Sequence, residues 1–143
     1  MEASNEVQGA PRWFPAAAIA VLLWEIFGCT MYVLQVSADG AGLPAEQAAM
    51  WRATPAWSIG AYAVAVWVGL AGAILLLMRR KLAEVVLLVS LIAVLVQFSA
   101  HLLVPALRDI TPPAAWIMPI GIILVCLAIW LFARHSNRRG WLR

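Results

Sequence analysis

The sequence predicts an all-α integral membrane four-helix bundle, with antiparallel up-down topology and both termini on the cytoplasmic side. Three observations predict it. Hydrophobic residues make up 64% of the 143 and charged residues only 12%, a balance too apolar for a water-facing domain of this size. Mean hydropathy is +0.89, and the apolar residues fall in four continuous runs rather than in alternating strands. The basic residues, finally, collect in the intervals that would share one side of the membrane.

The elements follow in chain order, and 1–143 is expected to form one membrane domain. Residues 1–12 are polar and expected to be loose up to Arg12 and Trp13, where the chain meets the interface. The first span covers about 13–36, which exceeds the roughly 7–15 apolar residues of a signal-peptide core. The segment before it carries Glu2 and Glu6 against a single Arg12, so a cleaved leader is rejected despite the small residues at Val36-Ser37-Ala38. A loop over 37–56 opens on Asp39-Gly40-Ala41-Gly42. It then forms a short external helix over about 44–53, with Met50 and Trp51 suited to the membrane surface.

Thr54-Pro55 is expected to place a capping hydroxyl before the second span, 57–78. Arg79-Arg80-Lys81 alone separates this span from the third, 82–104, so the two must form a tight antiparallel hairpin. Pro112-Pro113 precedes the fourth span, 114–133, whose outer end Pro119 and Gly121 are expected to kink or loosen. Spans of about 20–24 residues reach roughly 30–36 Å, enough for the hydrocarbon core with modest tilt.

Eight of the ten basic residues, Arg12, Arg79, Arg80, Lys81, Arg134, Arg138, Arg139 and Arg143, fall on one predicted side; Arg52 and Arg108 fall on the other. The positive-inside rule therefore puts the termini and the 79–81 turn in the cytoplasm. Trp13, Trp57, Trp116 and Trp141 lie near the predicted interfaces. The net charge of +3 is read as this asymmetry and not as affinity for nucleic acid.

Glu25 is the most informative side chain, because it falls near the middle of the first span. A carboxyl there is costly in lipid and should face the bundle interior, a hydrated cavity or a partner chain. Two readings stand side by side: a proton or cation relay or binding-site acid, and a carboxyl that only hydrogen-bonds across helices. Helical spacing puts Glu25, Cys29 and Tyr32 on one stripe and Ser90, Gln97 and His101 on another. Glu25, Tyr32, Tyr62, Gln97 and His101 are thus the candidate polar cluster or transport site, opening outward. On the second span Ala61, Ala65, Gly69 and Ala73 form a small-residue stripe with Gly72 beside it, for packing within the bundle or for a dimer face.

Cys29 and Cys126 lie inside spans without metal-ligand spacing and are read as packing residues. His101 has no histidine or carboxylate at helical spacing, and His135 belongs to the basic tail, so no metal, cofactor or catalytic residue is assigned.

Leu23-Trp24-Glu25-Ile26-Phe27-Gly28-Cys29-Thr30 resembles the first span of small multidrug-resistance transporters, which also have four spans and a membrane-embedded glutamate. More broadly, Ala53-Thr54-Pro55-Ala56-Trp57, Arg79-Arg80, Val94-Leu95-Val96-Gln97 and Arg139-Gly140-Trp141-Leu142-Arg143 resemble small bacterial four-span inner-membrane proteins. Some of those carry an automatic "sugar transporter" label. The resemblance implies a bacterial inner membrane. The expected function is a non-enzymatic accessory or oligomerising module, with the lipid bilayer and a homodimer or larger membrane complex as partners. The alternative is a small-solute or proton-coupled transporter with Glu25 as its membrane-embedded acid.

Overall fold

A computed structural model describes residues 9–143; the looseness expected of residues 1–8 lies outside the described residues. The elements are α1 (Phe14–Ala38), α2 (Ala45–Ala53), α3 (Ala56–Leu77), α4 (Leu82–Leu103), the short α5 (Pro105–Arg108), a single 3₁₀ turn at Pro113–Trp116, and α6 (Ile117–Arg138). Among the described residues there is no strand, and α1, α3, α4 and α6 (with its preceding turn) are long and apolar enough to cross a membrane. The chain is therefore an all-α, multi-pass membrane protein built as a four-helix bundle.

Contacts at the helix ends establish the antiparallel order. Phe14, Arg79 and Trp141 meet at one end, which gathers the start of α1, the α3–α4 turn and the chain after α6. At the other end Tyr32 packs on Tyr62, Ser58 bonds to Gln97, and His101 packs on Trp116. In between, α3 packs against both α1 and α4, and α4 against α6.

Each helix buries one narrow face. On α1 that face is Phe14, Ala18, Val21, Glu25 and Cys29, a three-to-four-residue spacing that keeps one stripe inward. The outward faces stay apolar: Leu103 and Met118 are exposed, and Ile117 is 75% exposed. Water would make such a surface adhesive, whereas acyl chains solvate it, so lipid is the medium the exterior fits.

With lipid outside, helix association depends on close packing and interhelical hydrogen bonds rather than on hydrophobic burial. The small-residue stripe of α3 supplies the packing from inside the bundle. Ala65, Gly69, Gly72 and Ala73 are buried, and Ala61 is partly so. A Cβ at Gly72 would lie 2.7 Å from Leu87 Cδ2, so glycine there lets the α4 leucine reach the α3 backbone.

Three polar side chains tie helices together: Ser58 Oγ donates to the Gln97 carbonyl (2.9 Å), Ser90 Oγ to the Ala65 carbonyl (2.6 Å) and Cys29 Sγ to the Val66 carbonyl (3.3 Å). Such bonds average about 0.6 kcal/mol in membrane bundles. Ser58→Ala is accordingly expected to lower unfolding free energy by about 0.6 kcal/mol and by no more than about 1.7. Reversible unfolding in mixed micelles measures this.

At the basic end the bundle has a floor. The main core cluster joins Phe14, Ala18 and Val21 of α1, Ala73 and Leu76 of α3, Ala83 and Leu87 of α4, Ile129 and Ala133 of α6, and Leu142 from the tail. α6 ends in a Schellman motif, in which Trp141 N donates to the Ser136 carbonyl, Gly140 N to that of Asn137, and Gly140 takes φ +75°. α3 ends the same way, with Arg80 N donating to Leu75, Arg79 N to Leu76, and Arg79 in the left-handed position at φ 57°.

An L residue there costs about 1–2 kcal/mol, partly offset because the Arg79 guanidinium lies 5.5 Å from the Phe14 ring centroid. The two motifs bring their following residues side by side. Lys81 N donates to the Arg143 carbonyl (2.8 Å), and Arg143 N donates to that of Arg79 (2.5 Å). Asn137 Nδ2 also donates to Glu84, joining α6 to α4.

One local expectation is corrected, and two features of the fourth helix bear on others. The Thr54 hydroxyl does not cap α3: it donates back to the Met50 carbonyl at the end of α2, and Pro55 is the N-cap. A hydroxyl that can reach its own preceding turn satisfies that orphan carbonyl first. Pro119 is the third residue of α6, in the turn whose N–H groups have no intrahelical partner, so it removes no helical bond. The fourth helix continues beyond the span expected over 114–133 to Arg138, its basic last turn held by Ser136, Asn137 and the tail.

Candidate functional site

Mid-bundle polarity centres on Glu25, which α1 turns inward on the same stripe as Val21 and Cys29. Its side chain is 6% exposed. The carboxyl lies against the α3 backbone at Gly69: a Cβ built there would overlap Glu25 Oε2, approach Cδ to 2.8 Å and meet Ser90 Oγ at 2.9 Å. Glycine is required at this point by the close approach. Ser90 enters from α4, held by its bond to Ala65. α1, α3 and α4 thus meet at one acid.

The five candidate residues fall into separate groups. Tyr32 and Tyr62 pair edge to face with centroids 5.1 Å apart, in the α1–α3 seam beyond Cys29 and its bond to Val66. Glu25, Cys29 and the tyrosines therefore follow one seam towards the end opposite the 79–81 turn. Gln97 contributes its backbone carbonyl to Ser58 and is half-buried on α4. His101 faces the loop side of α4: Nδ1 lies 3.4 Å from Thr111 Oγ1, and the ring packs on Phe98 and Trp116. No hydrogen bond or ion pair joins Glu25 to Gln97 or His101, and the α4 side chain that meets it at Gly69 is Ser90.

Ser90 was on the recognised α4 stripe yet outside the five, and counting from a common level explains the difference. Ser90 lies eight residues above Leu82, roughly 12 Å, and Gln97 roughly 22 Å. Glu25 lies roughly 16 Å above Phe14, so its seat beside Ser90 means that Phe14 starts roughly 4 Å lower than Leu82. The three-residue turn fixes the α3–α4 register, so pairing residues at nearly equal distances from 79–81 brings Ser90 to the level of Gly69. That signal is present in the sequence.

Among the described residues, no three His, Cys, Asp or Glu side chains come close enough to hold a metal ion, and both cysteines are free. Two surface grooves flank the bundle. One lies between α1 and α3, lined by Ile26, Cys29, Thr30, Val33, Trp67 and Leu70, and faces lipid. The other sits at the basic end. Neither is lined by Glu25.

Fold and site together define a multi-pass membrane four-helix bundle with a protein-sheltered acid. Comparisons with protein-family models, with curated proteins and with solved structures find no match to this chain.

Proposed function

We propose that the chain is a non-enzymatic module of the bacterial inner membrane, an accessory or self-associating unit in which Glu25 serves architecture. One observation carries this reading: the carboxyl is seated against Gly69 and beside Ser90, inside a helix contact too close for a methyl group. A carboxyl so placed fills the contact between α1 and the α3–α4 hairpin. The distribution of basic residues supports a cytoplasmic location for the termini and the 79–81 turn. The lipid-facing α1–α3 groove, with Trp67 and Ile26 exposed beside it, offers the surface for a second copy or a partner helix.

A proton-coupled or small-solute transporter is the second reading, favoured by the seam that continues from Glu25 through Cys29 to the Tyr32–Tyr62 pair. Glu25→Gln separates the two, because it keeps shape and hydrogen-bonding capacity while removing titration. The wild type and Glu25→Gln, reconstituted in vesicles holding a pH-sensitive dye, are expected to show equal, background proton flux under an imposed gradient. Photobleaching steps in lipid should report the same subunit number for both. Wild-type flux above background that disappears in Glu25→Gln would overturn the architectural reading in favour of transport.

A further inference from the structure

At the basic end, the groove between the α3 and α4 termini has walls of two kinds. Leu75, Met78 and Leu82 form an apolar floor, with Met78 and Leu82 well exposed. Arg80, Lys81 and Arg143 form the rim. The three cations come from two segments distant in sequence, the 79–81 turn and the tail, and the paired backbone bonds of Lys81 and Arg143 hold them together. No side-chain carboxylate among the described residues is ion-paired with any of them. The nearest acid along α4, Glu84, is engaged by Asn137. We propose that this groove binds one anionic phospholipid, its phosphate among Arg80, Lys81 and Arg143 and an acyl chain along Leu75, Met78 and Leu82.

The placement fits both halves of such a ligand. The groove sits where two membrane helices end, which is headgroup depth, and its floor continues onto their lipid-facing sides. A free anion would leave the apolar floor uncovered, and a zwitterionic lipid would bring an ammonium towards three cations. Charge complementarity therefore selects a lipid with net negative charge. Arg143 matters twice, since its backbone closes the floor of the bundle while its side chain completes the rim.

The test is native mass spectrometry of the full chain in detergent, titrated with dioleoyl phosphatidylglycerol or dioleoyl phosphatidylcholine, with and without excess inorganic phosphate. The wild type is expected to retain one phosphatidylglycerol in preference to phosphatidylcholine. At roughly fivefold per cation, Arg80→Gln with Lys81→Gln should weaken that binding about 25-fold. Arg138→Gln with Arg139→Gln removes the same charge from the same end, outside the groove, and should leave binding within about twofold, since no rim contact is lost.

Unchanged thermal unfolding would establish that both double variants fold. Inorganic phosphate should not displace the lipid, because it cannot occupy the floor; displacement would show that a free anion is the ligand and overturn the proposal. Equal retention of both lipids, or equal losses in the two double variants, would overturn it as well.

Discussion

Gly69→Ala is expected to lower the unfolding free energy by about 1–3 kcal/mol, the range for forcing an extra methyl into a filled contact. The new Cβ would overlap the Glu25 carboxyl and crowd Ser90 Oγ at 2.9 Å. Backbone and serine have little room to yield, since Ser90 is fixed by its bond to the Ala65 carbonyl. The carboxyl has to leave its seat, and the surrounding faces of α1 offer it lipid. The decisive measurement is a double-mutant cycle. Glu25→Ala empties the space, so Gly69→Ala should cost less in that background, with a coupling of about 0.5–3 kcal/mol. Additive losses would mean that the two residues do not meet.

Leu142→Ala should have a comparable or larger effect, although the residue lies beyond the last helix. Its side chain is 2% exposed within the cluster that joins all four membrane helices. Truncating a buried leucine costs about 2–5 kcal/mol, depending on how far the site collapses. Collapse is restricted here because Trp141 is already committed to Trp13, Phe14 and His135. Arg143→Ala keeps the backbone pairing with Arg79 and Lys81 and should shift stability by less than about 0.5 kcal/mol. Thermal unfolding in nanodiscs, followed by tryptophan fluorescence, compares the two. Similar stabilities for both variants would mean that the tail does not close the bundle.

Particular residues show what was legible beforehand. The four helices and the 79–81 hairpin were readable because lipid leaves the backbone little choice, and long apolar runs bounded by arginines carry that constraint openly. The stripe of Ala65, Gly69 and Ala73 was readable for a similar reason, since only small residues permit helices to touch.

Relative height was harder. Glu25 sits beside Ser90 rather than Gln97 because Phe14 begins below the level of Leu82, an offset between helices that no single-helix pattern encodes. Thr54 fell between two backbone partners, and the choice of Met50 over the start of α3 depended on the loop geometry. The role of Leu142 was hidden in a segment whose arginines suggested only solvent and headgroups.

The backbone pairing of Lys81 with Arg143 has a consequence for the order of assembly. The α3–α4 hairpin joins neighbours in sequence and can form as soon as both helices are inserted, whereas the pairing must wait until α6 has crossed and turned back. Until then the underside of the hairpin stands open, with Leu76 and Ala83 lacking their cover from Leu142. The partly synthesised protein thus passes through a three-helix stage with an unsealed base, and it is during that interval, not after completion, that it is most vulnerable to mispairing and proteolysis.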